Sequence, residues 1–152
     1  MTKSLRTQID HWLAREQHCQ CGVTHAVRTR IVRFDDEDGR AVVDALRQLE
    51  LGSRILVVSD TVTHAAAAAA IGAALRDAGF DVVEHIFECN ERKPLTTDEE
   101  TIAMLDSAFR DCQPNGMVGV GSGTINDLCK CVASNNDAVY VACPTAASMN
   151  GY

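Results

Sequence analysis

The sequence predicts an α/β domain with a largely parallel, Rossmann-like sheet flanked by helices. Short, continuously apolar runs, which are typical of strands buried on both faces, alternate with helical patterns. A glycine-rich segment also lies between a predicted strand and a predicted helix, where turns that hold a phosphate are commonly found.

Hydrophobic spacing and turn residues place the elements along the chain. Gly79 is expected to cap one helix, and Thr97 with Glu100 resembles a capping box that opens another. The predicted elements, in order, are a helix over 4–17, a strand over 26–34, a helix over 41–51, a strand over 54–60, a helix over 62–78, a strand over 81–87, a helix over 97–110, a strand that includes 117–118, a helix over 124–133 and a strand over 138–142.

Composition limits the functional classes. The 152 residues are 46% hydrophobic but only 5% aromatic, which predicts one domain whose core consists of Ala, Val, Leu and Ile. A net charge of -7 without a basic stripe argues against nucleic acid and anionic membranes as partners. No apolar run approaches the roughly 20 residues of a membrane span, and no signal peptide is recognised. Seven cysteines then predict reduced thiols in a cytoplasmic protein.

The glycine-rich segment Gly119-Val-Gly-Ser-Gly-Thr124 is a candidate anion site. Exposed N–H groups and the dipole of the following helix favour a phosphate, and Gly121 and Gly123 let the backbone approach it. Thr124 and Asp127 have capping-box spacing, which predicts the start of that helix. The alternative is a tight turn that needs positive φ angles and binds nothing.

Asp60 is the second candidate, at the carboxyl end of the predicted strand 54–60. Ligands of open α/β sheets bind outside the carboxyl ends of strands, so its carboxylate could accept hydrogen bonds from an adenosine ribose. The alternative is an N-cap for the next helix. The usual G-x-G-x-x-G fingerprint is not matched, because the third glycine has the wrong offset and the turn comes late in the chain.

Three segments together resemble a known family. Val58-Ser-Asp60, Gly119–Lys130 (GVGSGTINDLCK) and Pro144–Tyr152 (PTAASMNGY) are similar to glycerol-1-phosphate dehydrogenases, within the dehydroquinate-synthase-like and iron-containing alcohol dehydrogenases. Cys19-Gln-Cys21-Gly22 followed by His25 is similar to the bacterial branch of that group. The resemblance covers Cys19–Tyr152.

The resemblance implies a role for several residues. Asp60 would contact the adenosine ribose of NAD, and its charge should repel the 2′-phosphate of NADP, although NADP remains possible. Position 150 contacts the substrate and is usually Asp in the family, whereas this chain has Asn150. The pyrophosphate would be held by Gly121, Ser122, Gly123, Thr124 and Ile125, and the nicotinamide end would be lined by Thr145, Ala146, Ala147 and Ser148.

The resemblance also implies an activity. Residues 1–152 would be the dinucleotide-binding domain of an oxidoreductase that interconverts dihydroxyacetone phosphate and sn-glycerol 1-phosphate in phospholipid biosynthesis. A divalent metal (zinc, nickel or iron) would be held by a helical domain beyond residue 152, so no metal ligand or catalytic residue is expected within the chain. We therefore expect these 152 residues alone to be inactive, and the full-length enzyme to be a homo-oligomer. The alternatives are another polyol or alcohol dehydrogenase, an enzyme like dehydroquinate synthase, or a non-catalytic nucleotide-binding module.

Cys19, Cys21 and His25 form a C-x-C-x3-H cluster of three soft ligands. A fourth ligand could be His18 or a distant residue. Structural zinc sites more often contain C-x2-4-C pairs. The alternative is a turn before the strand, with the cysteines serving as small apolar residues.

Overall fold

The chain divides into two units, residues 1–36 and 37–152. The computed structural model describes residues 4–34, 38–90, 92 and 94–146. Within those residues, no helix combines the length and the apolar character needed to cross a bilayer.

The first unit holds helix α1 (Leu5–Trp12) and an antiparallel hairpin of β1 (Glu16–His18) and β2 (Thr24–Ala26). Every residue of the two strands is exposed. The predicted strand over 26–34 is wrong beyond Ala26. Two backbone hydrogen bonds continue past Ala26, from the Val27 N–H to the Arg15 carbonyl at 2.8 Å and from the Ala14 N–H to the Thr29 carbonyl at 3.0 Å. The regular ladder ends there because Ala14 adopts a positive φ of 52° and the preceding residues are helical up to Trp12.

The second unit is a parallel α/β fold, which confirms the predicted fold class. Its four strands pair in the order β4-β3-β5-β6, and every pairing is parallel. The elements are α2 (Arg40–Gln48), β3 (Arg54–Asp60), α3 (Thr61–Thr63), a π-helical segment (His64–Ala68), α4 (Ala69–Asp77), β4 (Asp81–Phe87), α5 (Glu99–Cys112), β5 (Gly116–Val120), α6 (Gly123–Asn135) and β6 (Tyr140–Cys143).

The sheet is buried on both faces. Leu56 and Val58 of β3 pack with α5 and α6 in one apolar cluster. Their neighbours Ile55 and Val57 pack with α2 and α4 in a second cluster on the opposite face. This alternation explains why β3 is a continuous apolar run, and it produces three layers with helices on both sides.

Two helix ends compare differently with the predictions. Gly79 follows α4 with a φ of 92°, and the N–H groups of Gly79 and Phe80 return to the carbonyls of Arg76 and Leu75, which confirms the predicted cap. Helix α5, by contrast, is capped by Asp98 rather than Thr97, because the Asp98 carboxylate accepts the N–H of Thr101.

The sheet order creates a switch point between β3 and β5. The chain leaves β3 towards β4 on one side, then returns through β5 on the other side of β3. The connections that follow these two neighbouring strands therefore diverge, which opens a crevice at their carboxyl ends. In open α/β sheets such a crevice is where ligands bind.

Candidate functional site

A cleft of about 430 Å³ lies at this carboxyl edge, within the second unit. Its volume falls within the roughly 300–1,000 Å³ that is typical of small-molecule pockets. Segments that follow β3, β4 and β5 all contribute to its wall. The lining residues are Asp60, Val62, Cys89, Asn90, Pro94, Leu95, Ser122, Thr124 and Ile125.

The N-terminus of α6 forms one side of the cleft. The helix begins at Gly123 with Ser122 as its N-cap, so the predicted start at a Thr124 capping box is wrong. The Ser122 side chain makes no capping hydrogen bond, and the first turn contains no acidic residue. Since the first N–H groups of a helix have no partner within it, this terminus offers donors and a positive dipole end.

Helix α5 provides a contrast, because its N-terminus is neutralised by its own side chains. The Asp98 carboxylate accepts from the Thr101 N–H at 2.8 Å and from the Thr96 hydroxyl at 2.5 Å. These bonds, with that of Thr96 the largest, lower the pKa of Asp98 to about 2. Glu99 and Glu100 occupy the first turn.

Gly121 brings α6 close to the sheet. A Cβ on Gly121 would lie 2.7 Å from the Cβ of Ile125, so any larger residue would push the helix away. Its φ is not positive, and the left-handed glycines of the described chain are Gly22, Gly39 and Gly79. The Gly121 N–H donates to the carbonyl of Cys143 at 3.0 Å. That N–H is therefore committed to the sheet, and the donors that face the cleft must come from later residues.

Asp60 is the N-cap of α3. Its Oδ1 accepts the N–H groups of Val62 at 2.9 Å and Thr63 at 2.8 Å, while the Thr63 hydroxyl accepts the Asp60 N–H at 3.0 Å. The N-cap interpretation is confirmed. Both capping bonds end on Oδ1, so Oδ2 takes no part in the cap, and Asp60 also lines the cleft. Contact with a ribose stays a prediction.

Thr61 fixes the opposite wall. Its hydroxyl donates to the carbonyl of Cys89 at 3.1 Å and accepts the Cys89 N–H at 3.2 Å. One side chain thus satisfies both backbone groups of Cys89 and ties the loop after β4 to the end of β3. Thr61 was not among the residues predicted from the sequence, and its only signal there was its position directly after Asp60.

The remaining predicted site residues follow β6. Thr145 and Ala146 are exposed and do not line the cleft. They come two and three residues after Cys143, which is paired with Val120 at the carboxyl end of β5. The other three predicted residues, Ala147, Ser148 and Asn150, lie outside the described residues.

Two of the cysteines, Cys129 and Cys19, lie in different environments. Cys129 is buried in α6, and burial, aided by the neighbouring Cys143, raises the pKa of its thiol to about 12. It is therefore a protonated core residue. Cys19 is exposed, and hydrogen bonds from the backbone and side chain of Cys21 lower its pKa.

The first unit brings together the three residues of the Cys/His cluster. The ligand atoms of Cys19, Cys21 and His25 all lie within 4.8 Å of one another, and Cys21 Sγ is 3.3 Å from His25 Nε2. Both cysteines are exposed, so they do not act as small apolar core residues. His18 does not join them, since its Nδ1 pairs with the Thr24 hydroxyl at 2.8 Å.

Known proteins are similar in sequence to part of this chain. A glycerol-1-phosphate dehydrogenase (NAD(P)+) of Bacillus subtilis is 32% identical over 99 residues, which are 64% of this chain and 25% of that protein. The enzyme of the same name from Methanoculleus marisnigri is 33% identical over 103 residues, or 68% of this chain and 26% of that protein. The chain thus spans about a quarter of the length of these relatives.

The fold is also found in solved structures. The crystal structure of a probable glycerol dehydrogenase from Sinorhizobium meliloti superposes with a TM-score of 0.54 at 27% identity, covering 74% of this chain and 28% of that one. The sequence model described as iron-containing alcohol dehydrogenase matches residues 34–152. With the parallel sheet and its carboxyl-edge cleft, this match shows that the chain belongs to the iron-containing alcohol dehydrogenase family.

Proposed function

We propose that residues 37–152 bind NAD(H), with NADP(H) as the weaker ligand, as the dinucleotide-binding part of an oxidoreductase that acts on glycerol phosphate. The observation that carries this proposal is the N-terminus of α6, which has no side-chain cap and no acidic residue and borders a cleft at the switch point of the sheet. A pyrophosphate supplies the negative charge that such a terminus favours.

The residues of the glycine turn have two different roles in this proposal, helix packing and pyrophosphate binding. Gly121 holds the helix against the sheet and cannot donate its own N–H. The N–H groups of Ser122, Gly123, Thr124 and Ile125 are the donors for the pyrophosphate, supported by the two hydroxyls. The nicotinamide end of the cofactor would be lined by four residues after β6, as the family resemblance implies: Thr145, Ala146, Ala147 and Ser148.

Asp60 would select NAD over NADP. Its Oδ1 is committed to the cap of α3, which leaves Oδ2 to accept ribose hydroxyls. The cap also fixes the side chain before any ligand arrives, which lowers the entropy lost on binding. A 2′-phosphate would meet the same carboxylate with like charge, so NADP(H) would bind more weakly.

The named relatives support a specific reaction. Both named sequence relatives are glycerol-1-phosphate dehydrogenases (NAD(P)+), so we propose reversible reduction of dihydroxyacetone phosphate to sn-glycerol 1-phosphate. The dinucleotide supplies the hydride when bound, and a divalent metal would be held by residues outside this chain. Asn150 would contact the substrate through its amide, which offers an acceptor oxygen and an NH2 donor where a carboxylate offers only acceptors.

Calorimetric titration of the chain with NADH tests the binding proposal. We expect the wild type to bind NADH more tightly than NADPH. Asp60→Asn should weaken NADH binding by about tenfold, equivalent to about 1.4 kcal/mol, and reduce the preference over NADPH. Asparagine is itself a good N-cap, so this change removes the charge and keeps the helix start.

Two controls separate binding from stability. Thr63→Val breaks the reciprocal half of the capping box but keeps the Asp60 carboxylate, so NADH affinity should be nearly unchanged. Gly123→Val places a branched side chain at the start of α6 and should abolish binding. Absence of NADH binding by a folded wild-type chain would refute the assignment of a cofactor site to this chain.

A second candidate is another polyol dehydrogenase of the same fold. It is favoured by the similarity to a probable glycerol dehydrogenase. A longer polypeptide would join this chain to the segment that its relatives have beyond the matched region. Under the first proposal, it should oxidise NADH with dihydroxyacetone phosphate. Turnover with dihydroxyacetone and none with its phosphate would favour the second.

A further inference from the structure

The hairpin of the first unit places two candidate metal ligands, Cys19 and His25, on one face. Gln17 pairs with His25 and His18 pairs with Thr24 across β1 and β2. Side chains alternate along a strand, so Cys19, two residues after Gln17, points to the same side as His25. His18 and Thr24 share the opposite side and bond to each other.

The turn between the strands adds the third candidate ligand, Cys21. Cys19 donates its N–H to the carbonyl of Val23, and Gly22 donates its N–H to the carbonyl of Cys19, each at 3.0 Å. Gly22 adopts a φ of 84°, a left-handed conformation that glycine tolerates and larger residues resist. This tight turn folds Cys21 back over the hairpin, where its sulfur lies 3.3 Å from His25 Nε2.

The distances fit a tetrahedral metal ion. With zinc–sulfur and zinc–nitrogen bonds of about 2.3 and 2.05 Å, neighbouring ligands are separated by about 3.6 Å for a sulfur–nitrogen pair and about 3.8 Å for two sulfurs. The three ligand atoms already lie within 4.8 Å of one another, so small side-chain rotations suffice. Two thiolates would also balance the charge of a divalent ion.

The described part of the hairpin buries little apolar surface. Each strand has three residues, all exposed, and no residue of the first unit whose burial is described belongs to the buried apolar core. An isolated two-stranded hairpin is marginally stable in water at best. Small modules of this kind are commonly stabilised by a disulfide or a structural metal, and all seven cysteines are free thiols.

We propose that the hairpin binds one zinc ion through the thiolates of Cys19 and Cys21 and the imidazole of His25. Water would fill the fourth position, because among the described residues the group contains no fourth Cys, His, Asp or Glu. The ion cross-links the turn to β2 and thereby stabilises the hairpin. This site does not depend on the dinucleotide proposal.

Metal analysis of the purified, reduced chain tests the site. We expect about one equivalent of zinc per chain, and substitution by Co²⁺ should give thiolate-to-cobalt charge transfer and the intense visible bands of a tetrahedral complex. Cys19→Ser, Cys21→Ser and His25→Gln should each weaken binding more than about 100-fold, since loss of even an outer-shell partner costs about 10- to 100-fold.

Matched controls address the other thiols and imidazoles. Cys131→Ser removes a thiol from the second unit, and His18→Gln removes the imidazole on the opposite face of the hairpin, so both should keep the wild-type cobalt spectrum. Hydrogen exchange gives a second readout, since zinc should slow exchange of the Cys19 and Gly22 amides in the wild type and leave it unchanged in Cys21→Ser. A cobalt spectrum without thiolate bands, or one that survives Cys19→Ser and Cys21→Ser, would overturn the proposal.

Discussion

Gly121 lies so close to Ile125 that a Cβ added to the glycine would come within 2.7 Å of the isoleucine Cβ. Gly121 directly follows β5, and Ile125 is buried in the first turn of α6. The missing side chain therefore sets how closely the helix N-terminus approaches the sheet edge, which is the property on which the cleft depends.

Gly121→Ala should destabilise the chain by about 1–3 kcal/mol, the usual cost of adding a methyl group to a packed interior. Urea denaturation measures the loss, and NADH affinity should fall with it because α6 must shift. Ile125→Ala should not fully rescue the variant, since alanine removes Cγ1, which also lies 2.7 Å from the added atom, but keeps the Cβ. An unchanged unfolding midpoint would show that α6 can move without cost.

Gly119→Ala should behave differently, because the atom nearest to the added Cβ is Cys129 Sγ, which a Cys129→Ala substitution removes. The added Cβ would lie 2.8 Å from Cys129 Sγ but 3.3 Å from Cys129 Cβ. We expect Gly119→Ala to cost about 1–3 kcal/mol alone and Cys129→Ala to recover a good part of it. A double-mutant cycle by urea denaturation measures this coupling, and additive effects would contradict it.

Much of the second unit was predictable from the hydrophobic pattern of its sequence. Strands β3 and β4 have the predicted bounds. The apolar run over residues 55–58 is typical of a strand buried on both faces, and β3 is an inner strand, whereas β4 lies at the edge of the sheet and is only partly buried. The predicted strand over 26–34 was wrong for most of its length, since a strand-like pattern shows that a segment could pair but not how far a regular partner extends. The π-helical segment at His64–Ala68 has no sequence signature in an alanine run.

The candidate site was predictable in position but not in detail. Asp60 and the glycine turn were expected at the carboxyl edge, and the structure places both there. Two roles could not be read from the sequence. The commitment of the Gly121 N–H to Cys143 depends on a strand pairing 22 residues along the chain, and the bond of Thr61 to Cys89 depends on a loop 28 residues away.

Thr61→Val should loosen the cleft wall that follows β4. Valine has the same shape but neither donates to the Cys89 carbonyl nor accepts its N–H, so we expect a loss of about 1 kcal/mol. Exchange of the Cys89 amide should speed up, as measured by hydrogen exchange and NMR. Thr63→Val is the matched control, since it lies in the same turn and should leave that amide protected.

His85 should make stability fall as the pH drops below about 6.5. Its ring packs edge-to-face on Phe87 with centroids 4.6 Å apart, and burial lowers its pKa below the ordinary value of 6.5. Above pH 6.5 the residue is neutral in both states. Below it the unfolded chain takes up the proton first, so the free energy of unfolding decreases until the pH reaches the lowered pKa of the folded state.

Urea denaturation between pH 7.5 and about 5 checks this expectation. His85→Gln should flatten the decline over that interval, whereas His11→Gln, which changes an exposed residue of α1, should leave it in place. A decline that is equally steep in His85→Gln would assign the pH dependence to other groups. The sign is the decisive result, because a histidine stabilised by a nearby carboxylate would instead make the chain more stable as the pH falls.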